Sequence, residues 1–160
     1  MPKQVLLDTS FLIRLFKKDD DLHENAVDYF RYFLENDYIL KISTIAIAEY
    51  CVKGEFMDLP FRNLQILPFN YDHAIQSGKL CEIAYRKKKE RGATIYPRAI
   101  VPNDVKMFAQ ADTEDEIVFF VSADTEAYKI FSLIQEERKL RFNYIDIRIS
   151  YQNLFGILLL

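Results

Sequence analysis

The chain predicts an α/β fold with a mainly parallel sheet, and three observations carry that reading. Short apolar runs such as VLL (residues 5–7) and IVFFV (residues 117–121) lack polar alternation, the mark of strands buried on both faces. Each run is followed by a stretch with apolar residues at helical spacing. Strands that alternate with helices in this way build parallel sheets through crossover connections. The length, 160 residues, suits one domain spanning residues 1–160 with one core, and half of the residues are hydrophobic.

The elements follow in order. Gln4–Leu7 reads as a buried strand, and a helix carrying Phe11, Leu12, Leu15 and Phe16 begins behind Thr9 or Ser10, either of which can cap it. Asp20 or Asp21 opens a second helix to about residue 35, with Ala26, Val27, Phe30, Phe33 and Leu34 on one side. Residues 38–42 form a second strand, and Ser43 or Thr44 caps a helix to about Val52. Residues 59–70 read mostly as loop, with Pro60 and Pro68 around the short apolar pair Ile66 and Leu67. A long helix runs from Asp72 to about Arg91, where Gly92 can stop it. After a proline-punctuated connection, Asn103 caps a helix to about Ala111. An acidic loop, residues 112–116, leads into strand 117–121, then helix 125–137 and a last strand at 142–147. The terminal FGILLL is an apolar end that needs cover: as an edge strand, against the core, or in a homodimer contact.

Bulk composition excludes several classes. Nothing resembles a disulfide framework or a zinc site, since Cys51 and Cys81 are far apart and both histidines are isolated. The N-terminus meets Asp8 too early for a signal peptide, and no apolar run is long enough to span a bilayer, so a cytoplasmic protein without a membrane role is expected. The net charge of −3 argues against a generally basic nucleic-acid binder. Charge is nevertheless segregated: residues 86–98 hold six basic residues and one acid, a net of +5, which leaves −8 on the rest. Arg86, Lys87, Lys88, Lys89 and Arg91 either stabilise a helix C-terminus or hold the phosphates of a nucleic acid. His23 and His73 are read as surface or structural, and the acids of 19–21 and 112–116 as solvated loops or helix starts.

Four acids stand in unusual places. Asp8 directly follows the first strand, and Asp124 follows strand IVFFV through Ser122 and Ala123. Functional groups of parallel sheets lie beyond the carboxyl ends of strands. Glu49 sits within the apolar helix IAIAEYCV, and Asp104 opens the helix that continues VKMFAQA. Each has an ordinary explanation alone: a helix cap for Asp8, a macrodipole contact for Asp104, a turn for Asp124. Together, with no Lys or Arg in these motifs to neutralise all four, they suit a hard divalent cation, Mg²⁺ or Mn²⁺.

With LLDTSFL, IAEY, PNDVKMFAQA and FFVSADTEAY in that order, the chain resembles the PIN-domain family, the nuclease fold of toxins in many bacterial toxin–antitoxin pairs. The resemblance implies a three-layer α/β/α sandwich and a metal-dependent endoribonuclease, with an RNA substrate and a cognate antitoxin as partner. It places Asp8, Glu49, Asp104 and Asp124 on the family's acidic positions, and Glu126 where many members carry a further acid, a peripheral metal contact. Asp8, Asp104 and Asp124 are then the expected direct ligands, while Glu49 ligates or orients a water in the metal's coordination shell. Ser10 falls on the small polar position beside the first acid, and Ser122 on a hydroxyl position usually filled by Thr. Both would donate hydrogen bonds to carboxylates. The stretch 55–103 is longer than in compact toxins of the family, and its RKKKER segment matches no family motif. The alternative is a catalytically idle PIN-like domain that binds RNA or protein. A haloacid-type phosphatase would need a second Asp where Ser10 stands. A phosphotransfer receiver would need paired acids after the first strand and a phospho-accepting Asp on a middle strand.

Overall fold

The structure is a computed structural model that describes residues 1–93 and 100–157. Its centre is a five-stranded, wholly parallel sheet: β1 (Gln4–Leu7), β2 (Ile39–Ser43), β3 (Leu64–Leu67), β4 (Ile117–Ser122) and β5 (Asn143–Asp146), in the order β3-β2-β1-β4-β5. The helices are α1 (Thr9–Phe16), α2 (His23–Glu35), α3 (Thr44–Tyr50), α4 (Tyr71–Glu90), α5 (Asn103–Thr113), α6 (Thr125–Gln135) and α7 (Tyr151–Phe155). Helices α4, α5 and α6 pack on one another, and α2 packs against α1 and α7, so helices cover the sheet in a three-layer arrangement.

The apolar runs do what their composition requires. Val5, Leu6 and Leu7 are fully buried, as are Phe120 and Val121 on β4. Phe108 of α5 meets Phe120 edge-on at 5.0 Å, and Phe142 and Phe131 complete that cluster. The chain moves from β1 outward through β2 to β3, then returns to the other flank of β1 for β4 and β5. The strand order therefore reverses between β1 and β4, and open α/β sheets gape at such a point, beyond the carboxyl ends of the strands.

Several expectations change. Residues 64–67 are an edge strand, not loop: Leu64 and Leu67 are buried while Gln65 and Ile66 face outward. Helix α2 starts at His23, because Asp20 Oδ1 accepts from Leu22 N and holds the preceding residues in a turn. Asn103 is the first residue of α5 rather than its cap, a position taken by Pro102. The cap of α1 is Asp8 itself, whose Oδ1 accepts from Thr9 N at 2.8 Å, so neither Thr9 nor Ser10 does that work. His73 is structural but not on the surface. It is buried, its Nδ1 accepts from Asn70 N, and its Nε2 reaches Glu114 at 2.8 Å. Asp112 is not a solvated loop residue. It is buried in the last turn of α5 and receives Gln76, Arg138 and the Arg141 amide. The helix α4 does end as expected, with Gly92 in the left-handed region at φ 82°. Of the C-terminal segment, Phe155 closes helix α7, Gly156 caps it in left-handed conformation, and Leu158, Leu159 and Leu160 lie outside the described residues.

Candidate active site

Two of the four acids cap helices at the switch point. β1 pairs with β4 through Leu7 and Val121, and Asp8 N extends the ladder to Val121 O at 3.0 Å. Asp8 caps α1, and Asp124 caps α6 by accepting from Glu126 N at 2.8 Å and Ala127 N at 3.4 Å. The repeated strand–acid–helix arrangement sets both carboxylates at neighbouring helix N-termini, where the helix dipole favours negative charge. The capping reading and the site reading of these acids are therefore compatible.

The two serines knit the turns together. Asp8 Oδ2 accepts from Ser10 Oγ at 2.8 Å and Ser122 Oγ at 2.7 Å, and the two hydroxyls lie 3.1 Å apart. Ser10 Oγ in turn accepts from Ala123 N and Ser122 Oγ from Asp124 N, at 2.9 and 3.0 Å. Both serines thus donate to the first carboxylate while holding the backbone that leads to the last. Burial raises the Asp8 pKa, the three hydrogen bonds oppose that rise, and the Glu49 charge adds to it.

Glu49 and Asp104 arrive from helices across the strand ends. Glu49 is half-buried rather than enclosed, because on α3 only Ala46 is fully buried. Its carboxylate accepts from Thr9 Oγ1 at 2.5 Å and Asn103 Nδ2 at 2.8 Å. The sequence offers Thr9 and Asn103 only as helix caps, not as partners of Glu49; the signal for Asn103 was its place directly before Asp104. Asp104, half-buried, accepts no hydrogen bond and forms no ion pair among the described residues. Burial, and then the charges of Asp8, Asp124 and Glu49, push its pKa up to about 7. Tyr144, also unanticipated, donates from its hydroxyl to Asp124 O at 2.9 Å, and burial raises its pKa, with Asp8, Asp124 and Asp104 adding to the rise.

The structure therefore brings Asp8, Glu49, Asp104 and Asp124 into one electrostatic field, with Ser10 and Ser122 between them. Among the described residues, no Lys or Arg forms an ion pair with any of the four. The donors are hard carboxylate oxygens, and the charge is uncompensated, so in chemistry the set fits Mg²⁺ or Mn²⁺. In position they are not gathered for coordination: no group of three or more acidic, His or Cys side chains among the described residues converges closely enough to hold an ion. The reason is visible in the hydrogen bonds, because most Asp8 and Glu49 oxygens face protein donors. Glu126 points elsewhere, exposed and paired with Lys129 at 2.7 Å.

The basic residues on the last turns of α4 meet the end of α6. Arg86 contacts Glu137 at 2.6 Å, Arg91 contacts Glu136 at 2.6 Å, and Lys87 lies 3.5 Å from Glu136. Lys88 and Lys89 form no ion pair among the described residues. Lys88 lines a groove of about 430 Å³ with Arg91 and with Glu126, Tyr128, Ile130 and Leu133 along α6. On the opposite flank, a groove of about 700 Å³ runs from Thr9 and Glu49 along Ile13, Phe16 and Val52. Residues 94–99, at the end of the basic stretch, lie outside the described residues. No helix among the described residues is long and apolar enough to cross a membrane.

No family model matches the chain, and no curated protein matches it in sequence. Solved structures do match in fold. One is a chain of VapBC2 from Rickettsia felis bound to a DNA fragment from their promoter, with a TM-score of 0.58 and 18% identity over 89% of this chain and 99% of that one. Another is a chain of DNA-bound VapBC from Salmonella typhimurium, with a TM-score of 0.52 and 18% identity over 92% and 99%. With the parallel sheet in its observed order and helices on both faces, the chain has a PIN-like fold.

Proposed function

We propose that the protein is a metal-dependent endoribonuclease, the toxin of a toxin–antitoxin pair. One observation carries the reading: Asp8, Glu49, Asp104 and Asp124 share one field at the switch point, which together with burial pushes the Asp104 carboxyl up to about 7, and among the described residues no cationic side chain pairs with any of them. Four acids confined at a switch point destabilise one another, and either a proton on Asp104 or a positively charged ligand relieves that repulsion. Asp8, Asp104 and Asp124 would hold a divalent ion, with Glu49 beside them. When bound, that ion would offset the negative charge that develops on a phosphodiester and lower the pKa of water. The protein's own contribution is positional. Ser10 and Ser122 hold Asp8 in one orientation, Thr9 and Asn103 hold Glu49, and two capped helices fix the turns from which Asp8 and Asp124 project. Asp104, which accepts no hydrogen bond among the described residues, is the carboxylate with most freedom to adjust to an ion.

An antitoxin partner belongs to the same reading. The likeness to chains solved as VapBC supports it, and the apolar groove along Ile13, Phe16 and Val52 offers a seat for an amphipathic segment. The competing reading, an idle PIN-like binding domain, rests on the carboxylates' not being gathered at one point. Cleavage of RNA with and without Mg²⁺ or Mn²⁺ separates the two. Metal-dependent cleavage by the wild type that falls roughly 100-fold or more in Asp8→Asn and Asp104→Asn is expected, beyond the loss typical of residues outside the coordination shell. Cleavage unaffected by metal and by both substitutions would refute the mechanism.

A further inference from the structure

Two side chains outside every motif described above converge on the turn that carries Asp124. After β4 the chain passes through Ala123 and Asp124 into α6, and the carbonyls of both turn residues receive donors from one direction. Arg148 Nη1 donates to Ala123 O at 2.8 Å, and Tyr144 Oη donates to Asp124 O at 2.9 Å. Tyr144 stands on β5 and Arg148 shortly after it.

Tyr144 is held by packing, and Arg148, an exposed side chain, by a second polar contact. The Tyr144 ring packs among Tyr128, Phe131 and Phe120, with centroids 5.2, 5.3 and 5.6 Å away. Arg148 also contacts Asp146 Oδ1 at 3.2 Å. Its neighbours are gripped on both sides. Ile147 N donates to Ser122 O, Asn25 Nδ2 donates to Ile147 O at 2.8 Å, and the fully buried Tyr29 donates to Ile149 O. A rigid path therefore runs from α2 through residues 147–149 to the Ala123 carbonyl. The turn it reaches holds an acid next to three others, so repulsion works to displace it, and a backbone restraint opposes that displacement at low cost.

We propose that Tyr144 and Arg148 are positioning residues, a two-point brace that fixes the β4–α6 turn and thereby the direction of the Asp124 carboxylate. The consequence for catalysis rests on the nuclease reading above; the consequence for the turn does not. The test compares the full chain with Tyr144→Phe, Arg148→Leu, Arg148→Lys and the double variant Tyr144→Phe/Arg148→Leu. It measures kcat and KM on an RNA with Mg²⁺, Mn²⁺ binding by titration, thermal unfolding, and amide hydrogen exchange at Glu126 and Ala127, which donate to Asp124 Oδ1.

The brace predicts that kcat and Mn²⁺ affinity fall about 10–100-fold in the double variant, as for other residues that orient metal ligands, while KM stays within about twofold. Exchange at Glu126 and Ala127 accelerates, and Arg148→Lys, which keeps a donor, regains part of each loss. Unchanged exchange at these amides together with wild-type kcat overturns it. If the wild type cleaves no RNA, the nuclease reading fails and exchange alone decides the brace: faster supports it, unchanged overturns it. Should the double variant unfold, Tyr144→Phe, which keeps the packed ring and loses only the hydroxyl, decides it by the same measurements.

Discussion

Asp104 concentrates the electrostatics of the site. A carboxyl whose pKa rises from 3.8 to about 7 on folding binds its proton more tightly in the folded chain. The folded state then holds more protons than the unfolded one between about pH 4 and 7, so stability falls as pH rises through that window and does not return above it. The raised Asp8 acts in the same direction. For the metal-free protein in chelator, unfolding midpoints measured from pH 4 to 8 should decline, and Asp104→Asn should flatten the decline. The effect is about 2 kcal/mol, discounted because Asp104 is partly exposed to solvent. Divalent-ion affinity should rise over the same range, as the ion competes with the proton. A midpoint in the wild type that rises with pH would contradict the cluster. Three of the acids stand out in the sequence because each breaks a local pattern, Asp8 and Asp124 by closing an apolar strand and Glu49 by sitting inside an apolar helix, whereas Asp104, at an ordinary helix start, stands out only beside them. Thr9 and Asn103 break no pattern, and their role depends on α3 approaching the starts of α1 and α5. Asn103→Ala should leave the fold intact and cost activity about 10-fold through a misplaced Glu49, with Asn103→Gln no substitute because its longer arm misplaces the donor.

Elements were legible where burial is two-sided. β1 and β4 announce themselves as unbroken apolar runs because both faces are covered. β3 sits at the sheet edge and buries only its first and last residues, a pattern with neither a run nor an alternation. Helix α7 spans too few residues for helical periodicity to register, although Ser150 and Gly156 cap it at either end. The long helix α4 was clear from sequence, but what anchors it was not. At its start, Asn70 and His73 exchange bonds, with His73 N donating to Asn70 Oδ1 and Asn70 N to His73 Nδ1. At the opposite partner, Asp112 ties α4 through Gln76 to Arg138 and the Arg141 backbone. Urea denaturation should show about 1 kcal/mol lost in Asn70→Ala. Asp112→Ala should cost more, about 2–3 kcal/mol, since it removes the buried acceptor shared by three part-buried donors, one from α4 and two from the loop that follows α6. Equal losses in the two variants would show that Asp112 is no hub.

At the scale of the molecule, the charge separation read from sequence acquires a geometry. The cationic end of α4 is partly spent on the acids at the end of α6, since Arg86, Lys87 and Arg91 lie against Glu136 and Glu137. Such solvent-screened pairs contribute little to stability, so they restrain these side chains without withdrawing their charge from a polyanion. Lys88 and Lys89 have no such partner among the described residues, and they differ in placement. Lys88 lines the groove that runs along α6 to Glu126, two residues from Asp124 in sequence, whereas Lys89 lines another with Gly78 and Cys81. If single-stranded RNA follows the first groove into the acids, Lys88 contacts a phosphate and Lys89 does not. Lys88→Ala should then weaken RNA binding and reduce the slope of log affinity against log salt by about 0.7, the share of one phosphate contact on a single strand. Lys89→Ala should leave the slope nearly unchanged, and neither should alter stability by more than about 0.5 kcal/mol, as expected at exposed positions. The pair of lysines thus separates a track from a diffuse field: identical small losses in both variants would mean that the basic end of α4 attracts RNA by net charge alone, and that the groove along α6 guides nothing.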